Sequence, residues 1–450
     1  MKTINEELLT FLQQSPAPFQ AICTVSRALQ EAGFTPVKES TPWKLQAGGA
    51  YYVTRNGSSI IAFTLPKGLT SAAKIPYHFQ MAASHSDSPT YKLKALPELQ
   101  GPGSYLRLNT EAYGGMIDYT WLDKPLSVAG RVLVREGDTI VSRLFAPDRD
   151  LLLIPSVAIH FNREVNKGYA FNRQIDLCPL ASAGALKQGA WNAFVAAELG
   201  VAEEDIAAQD LYLVNRQAGT VWGVEREFVS APKLDDLQAA FASLKGFLAA
   251  HQEPQKTADG EETIRVYCCF DNEEVGSGTK QGALSTFLED VLVRINSQLG
   301  GTDETYRTAV AKSFMVSFDN AHAVHPNHPE LTDSENHCVL NGGPVIKENA
   351  SQKYTTDAVS RAVFREICKK AQVPVQTFAN RSNMPGGSTL GNLSTMHVSV
   401  HTVDIGLAQL AMHSSYETAG ALDTAYAVRA LTAYYTSAVL VDGAESVTVR

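Results

Sequence analysis

Several short apolar runs in this chain stop abruptly at clusters of ionisable side chains, and that pattern constrains the fold more than any other feature. The run Tyr77–Ala83 gives way to Ser84-His85-Ser86-Asp87-Ser88-Pro89, and Val266–Phe270 gives way to Asp271-Asn272-Glu273-Glu274-Val275-Gly276-Ser277. Ser313–Phe318 is followed by Asp319-Asn320-Ala321-His322-Ala323-Val324-His325-Pro326. Val398–Val403 runs into Asp404-Ile405-Gly406 and then Met412-His413-Ser414. Such runs, bounded by polar punctuation, read as buried strands. A polar cluster where a buried strand stops is where α/β folds place the groups that meet a ligand.

The rest of the chain falls into place around these runs. Residues 4–33 alternate apolar and polar at helical spacing, with Ala21, Ile22, Val25, Leu29 and Ala32 on one stripe. Tyr51-Tyr52-Val53 and Ile60–Phe63 read as strands on either side of the turn Arg55-Asn56-Gly57. After Pro89 the texture changes: to about residue 225, Gly, Pro and β-rich runs such as Ser127–Val134 dominate. From Leu234 helices alternate with apolar strands again, and a final helix is expected over roughly 418–441. At 450 residues with 44% hydrophobic composition, more than one domain is expected. The expected architecture is α/β: a mixed-sheet domain over 1–89 and 226–450, interrupted by an inserted β-rich domain over 90–225. No internal repeat is visible.

Composition excludes some partners. Charged residues make up 19% and the net charge is -9, which argues against nucleic acid, because phosphate binding needs a basic surface. The N-terminal stretch MKTINEELLTFLQQSPAPF lacks the apolar core of a signal peptide. No run reaches the roughly 18 apolar residues of a membrane helix. A soluble, cytoplasmic protein is expected, and the six cysteines, none in a CxxC pair, suit reduced and mostly buried thiols.

The strand ends carry the chemistry. His85 can ligate a metal through one ring nitrogen while Asp87, two residues on, fixes the other; taken alone, His-x-Asp reads more readily as a surface loop. Glu273 and Glu274 beside a buried strand are costly unless something positive offsets them. A metal would do so, leaving one carboxylate as ligand and one as base; taken alone, a solvated helix start is an equal reading. Asp319 sits where a ligand belongs, with His322 and His325 as further candidates or as parts of a turn, and His413 is a ligand or a capping residue. Together, His, Glu, Asp and His at successive strand ends fit a dication with mixed N/O donors, zinc most naturally, with Co2+ or Mn2+ as alternatives. A bridging carboxylate would come from Asp235 or Asp236, where the α/β pattern resumes.

On these segments the sequence resembles the aspartyl aminopeptidase family of dinuclear zinc metallopeptidases, nearly end to end. The matching stretches are His85–Pro89, Tyr113-Gly114-Gly115, Thr120-Trp121, Ala129-Gly130-Arg131 and Ile159–Arg163, then Lys233-Leu234-Asp235, Asp271–Ser277, Asp319–Asn327, Gly343–Lys347 and Gln409–Ser414. The resemblance implies a metalloaminopeptidase acting on peptides with Asp or Glu at the N-terminus, and two Zn2+ per subunit. Asp235 would bridge them, His85 and Asp319 would complete one set of ligands, and Glu274 and His413 the other. Glu273 would be the general base and Asp87 would orient His85. His160 would serve a neighbouring subunit's substrate, Lys347 would bind an acidic side chain, and the subunits would form dimers that build a dodecamer. The chain departs from the family pattern at Asn383 (usually Asp), at Gly386 or Gly387 (near a usual Cys), and at Tyr416 and Lys124 (usually Arg). These departures touch substrate preference and open a broader specificity that includes neutral residues. A deacylase or carboxypeptidase on the same scaffold, and a silent assembly or cargo protein, are the other readings. Glu273 beside Glu274 argues against the silent one, since binding alone needs no base.

Overall fold

The computed structural model describes residues 3–253, 260–443 and 446–450. At its centre is a nine-stranded mixed sheet in the order Thr35–Pro36, Ala50–Arg55, Ser59–Thr64, Glu262–Phe270, Tyr77–His85, Phe314–Phe318, His401–Gly406, Val345–Glu348, Gln376–Ala379. The four middle strands, Glu262–Phe270 to His401–Gly406, are mutually parallel, so their C-terminal ends share one edge. Side chains alternate between two covered faces, as a doubly packed sheet requires. Tyr267 and Cys269 point into one core with Phe241, Phe247, Tyr434 and Tyr435; Val266 and Cys268 point into the other with Phe79, Met81, Phe287 and Leu292. The helices Leu234–His251 and Asp423–Thr436 cover the first face, and Phe287–Gln298 covers the second.

Residues 90–215 supply all of a separate six-stranded antiparallel sheet, in the order Thr139–Phe145, Leu126–Glu136, Ile206–Asn215, Thr90–Gln100, Leu106–Tyr113, Leu180–Ser182. It has its own core around Tyr91, Leu108, Trp121, Val132, Trp191 and Leu211. The chain then enters a small five-stranded sheet in which Thr220–Trp222 and Phe228–Ala231 join Glu417–Gly420, Ala408–Leu410 and Ala321–His322.

Three expectations need correction. The helical stretch over 4–33 is two helices, Ile4–Gln14 and Pro18–Glu31, because Pro16 and Pro18 break the hydrogen-bond ladder and Pro18 starts the second helix. The long terminal helix is shorter, Asp423–Thr436, flanked by the strands Glu417–Gly420 and Val439–Asp442; its apolar spacing continues through strands that pack on the same core. The strand expected at 398–403 runs over His401–Gly406; Val398 lies in a bend before it and is apolar because it packs into the core on the sheet's second face. Among the described residues no helix is long and apolar enough to cross a membrane.

Candidate metal centre

The parallel strands deliver the polar clusters to one edge. His85 is the last residue of its strand, opposite Phe270, and Asp319 follows Phe318, its N–H donating to the Ile405 carbonyl at 3.0 Å. Gly406 leaves room for this crossing: a Cβ there would sit 2.4 Å from the Asp319 carbonyl oxygen. Glu273 and Glu274 lie in a short 3-10 turn entered through Asn272, whose φ is +66°. Asp235 and Asp236 open the helix Leu234–His251 with non-helical backbone. His413 comes from a turn between two strands of the five-stranded sheet, at φ +67°.

The side chains converge. His85 Nε2 lies 3.3 Å from Asp235 Oδ1, 3.7 Å from Asp319 Oδ1 and 4.0 Å from Glu273 Oε2. His413 Nε2 lies 3.4 Å from Glu274 Oε2 and 3.5 Å from Asp235 Oδ2. Three overlapping groups have donor atoms within 4.8 Å of one another: His85, Asp235, Asp236 and Asp319; His85, Glu273 and Glu274; Asp235, Glu274 and His413. His85 Nε2, Asp235 Oδ1, Asp236 Oδ1 and Glu274 Oε1 are buried without a hydrogen-bond partner. Buried polar atoms are normally satisfied. Four such orphans, from one histidine and three carboxylates within a cluster of two histidines and five carboxylates, fit a divalent cation with N/O donors.

The surrounding contacts aim these groups. Asp87 Oδ1 lies 3.3 Å from His85 Nδ1, and the same carboxylate accepts the N–H groups of Glu273 and Glu274, each at 3.1 Å. Tyr113 Oη donates to Asp87 Oδ2 at 2.7 Å. His413 Nδ1 lies 2.8 Å from the Gly115 carbonyl, which fixes that nitrogen as the donor and frees Nε2. Lys347, 2% exposed, donates to the Asp319 carbonyl at 2.7 Å and to Asp319 Oδ2 at 3.3 Å.

Packing so many like charges together sets the proton affinities. Burial raises the Glu273 carboxyl to about 8, with Asp319, Asp87 and Asp235 adding to the shift. Glu274 and Asp236 are pushed well above the carboxylate range, again by burial first. Burial opposes protonation of His85 and His413, but the carboxylates around them outweigh it. His85 rises well above its usual value, and His413 rises to about 10. Asp235, between the two imidazoles, is the exception: burial is overcome by His413 and His85, and its carboxyl falls below the usual range.

A cavity of about 290 Å³ opens over this cluster, lined by Asp235, Glu273, Glu274, Asp319, Lys347 and His413 among others. The expected residues His85, Asp87, Asp235, Glu273, Glu274, Asp319, Lys347 and His413 are therefore together. His160 is not among them: it sits on an exposed turn of the β-rich segment, outside the cavity lining. His322 lines the cavity, while His325 is exposed and stacks near His328 at 5.2 Å. Asn383 is exposed, Tyr416 Oη donates to the Ala218 carbonyl at 2.7 Å, and Lys124 Nζ to Ser415 Oγ at 3.0 Å; none lines the cavity. Two participants, Glu417 and the Gly115 carbonyl, escaped the sequence reading, and a third was read only as an alternative. Asp236 joins Asp235 instead of standing as its alternative. Glu417 and the Gly115 carbonyl act through backbone contacts, and the one available signal was that Gly115 and the segment before Glu417 lie in matching stretches.

Residues 11–435 match the family model described as Aminopeptidase I zinc metalloprotease (M18). The probable M18 family aminopeptidase 2 of Clostridium acetobutylicum is 41% identical over 437 residues, covering 96% of this chain and 98% of that protein. Its counterpart in Clostridium novyi is 42% identical over 435 residues, covering 95% and 98%. Among solved structures, the Ape4 and Nbr1 complex aligns with a TM-score of 0.90 at 34% identity, over 96% of this chain and 85% of that one. The S. cerevisiae mApe1 dodecamer aligns with a TM-score of 0.80 at 26% identity, over 96% of each.

Proposed function

This chain belongs to the M18 family of zinc metalloproteases, whose named members here are aminopeptidases, and on that premise we propose that it cuts N-terminal residues from peptides with two cations held side by side. The observation that carries this reading is the Asp235 carboxylate: Oδ1 faces His85 at 3.3 Å and Oδ2 faces His413 at 3.5 Å. His85 and Asp319 would hold one cation, Glu274 and His413 the other, with Asp235 shared between them. Two zinc ions there would lower the pKa of a water and polarise the scissile carbonyl, and cobalt or manganese suits the same donors.

The chain's own residues do the rest. Asp87 anchors the Glu273 N–H at 3.1 Å and so aims the Glu273 side chain at the cluster. Glu273 takes the proton of the attacking water on a carboxylate oxygen and returns it to the leaving amine. The free α-amino group of the substrate pairs with the carboxylate-rich end of the cavity, which restricts cleavage to the first residue.

We read the preference as acidic, because Lys347 is the Lys or Arg side chain that lines the cavity among the described residues. A broader preference has its own support. The Lys347 ammonium already donates to Asp319 O, Asp319 Oδ2 and Asn320 O at 2.7, 3.3 and 3.3 Å, and Tyr354, Phe378, Leu393 and Met412 give the wall an apolar side. The S. cerevisiae neighbour is a dodecamer, and we read this chain as a homo-oligomer of dimers, with 90–225 as the oligomerisation unit. Val157, Ile159 and Phe161, exposed at 57%, 49% and 86%, support that reading, and His160 lies among them.

The test is a hydrolysis panel of Asp, Glu, Leu, Ala and Lys nitroanilides with N-acetylated controls, under chelator and after metal add-back. Chelator-sensitive cleavage led by Asp and Glu supports the acidic reading. Cleavage led by Leu or Ala keeps the metal chemistry and overturns the preference. Cleavage of the acetylated controls would sink the aminopeptidase mechanism.

A further inference from the structure

Glu417 contributes no donor to the clustered ligand groups, yet it grips the backbone of two residues that do. Its Oε2 accepts the Asp235 N–H at 3.0 Å and its Oε1 accepts the His413 N–H at 2.7 Å. The residue is 2% exposed. It is held from both sides. The strand Glu417–Gly420 pairs residue 417 with Ala231, just upstream of Asp235. Gln409 Nε2 donates to Oε1 at 3.3 Å, and Gln409 Oε1 accepts from Asn320 Nδ2 at 2.9 Å.

Both gripped segments need such a hold. His413 sits at φ +67° and Lys233, two residues before Asp235, at φ +61°, conformations that side-chain-bearing residues seldom adopt. The two segments are far apart in sequence and meet at this carboxylate. The other half of the cluster has separate supports: the His85 N–H donates to Asp236 Oδ2 at 3.1 Å, and Asp319 is held by Lys347. The Asp235 carbonyl is also fixed independently, by Ser88 Oγ at 2.7 Å, whereas among the described residues Glu417 is the acceptor of the His413 N–H.

We propose that Glu417 is a positioning residue that sets the spacing of Asp235 and His413, and thereby the cation affinity of the Asp235–Glu274–His413 group in particular. The inference rests on the two-cation reading above. Groups that orient metal ligands typically change affinity by about 10–100-fold when removed. Glu417→Gln keeps the size of the side chain but replaces one acceptor oxygen with an amide that donates, so one backbone N–H loses its partner.

The experiment titrates the metal-stripped full-length protein with Zn2+ in a calorimeter, with bound zinc counted after equilibrium dialysis and circular dichroism recording the fold. Wild-type protein is expected to take two ions per subunit. Glu417→Gln is expected to take the first with wild-type affinity and the second about 10–100-fold more weakly, with kcat recovering at saturating zinc and KM unchanged. Wild-type affinity at both steps, or an equal loss at both, overturns the proposal. Uptake of a single ion by the wild type overturns the two-cation reading and this inference with it. Should Glu417→Gln not fold, Gln409→Met decides: it removes the N–H that aims Oε1, and an unchanged second step in that variant overturns the proposal.

Discussion

Glu273 and Glu274 are chain neighbours in different surroundings. Glu274 is 5% exposed at the side chain, 3.4 Å from His413, with its other oxygen unpartnered; Glu273 is 15% exposed and 4.0 Å from His85. This difference supports the proposal that the first is a ligand and the second the base. Glu273→Gln is therefore expected to lower kcat by about 10²–10⁴-fold while zinc content by atomic absorption stays at the wild-type level. Loss of zinc instead would exchange the two roles. Side chains of this kind were legible in the sequence because an uncompensated Glu-Glu pair or a His at the end of an apolar run has few inexpensive explanations. Glu417 and Gly115 were not: they act on N–H groups and a ring nitrogen through backbone and spatial contacts, which leave no pattern of residue types at fixed spacing.

At the scale of elements, the strands were read more surely than the helices. Strands such as Tyr77–His85 and Glu262–Phe270 are mostly apolar and buried at nearly every residue because both faces are covered. Helical spacing misled where it ran across a break: apolar residues continue from Gln14 to Pro18 and from Gly420 to Asp423 because different elements pack on one core. Asp357 caps the helix Ala358–Lys370, accepting the Ser360 N–H at 2.8 Å, with the Ser360 hydroxyl reciprocating to the Asp357 N–H at 3.0 Å. Asp357→Ala is expected to cost about 1 kcal/mol, seen as a lower urea midpoint at unchanged slope. The helix lies away from the cavity lining, so KM and kcat should not move; a change in either would link this cap to the site.

Across the whole molecule, buried acids and histidines make the metal-free protein sensitive to alkali. Burial raises Glu273 and Glu417 to about 8 and Asp271 and Asp423 to about 7. At His413 burial is outweighed by Asp235 and Glu274, and the ring rises to about 10. Each group binds its proton more tightly folded than unfolded. Its contribution is therefore fully present below the unfolded pKa and lost as pH rises through the folded one. Metal-stripped protein should lose thermal stability steadily between roughly pH 5 and 8. Zinc displaces the protons from its ligands and should flatten that slope. Scanning calorimetry with chelator and with zinc measures both curves, and a chelated protein that gains stability over this range contradicts the arrangement. Between subunits, His160→Ala should lower kcat while zinc content and oligomer size by light scattering stay constant; wild-type kinetics would remove His160 from the reaction. The contacts of Tyr113 with Asp87 and of Gly115 with His413 carry a last consequence. The β-rich segment that interrupts the chain supplies parts of the cradle in which the ligands sit. Cutting the segment out would therefore strip partners from Asp87 and His413, so the insertion and the cluster stand or fall together.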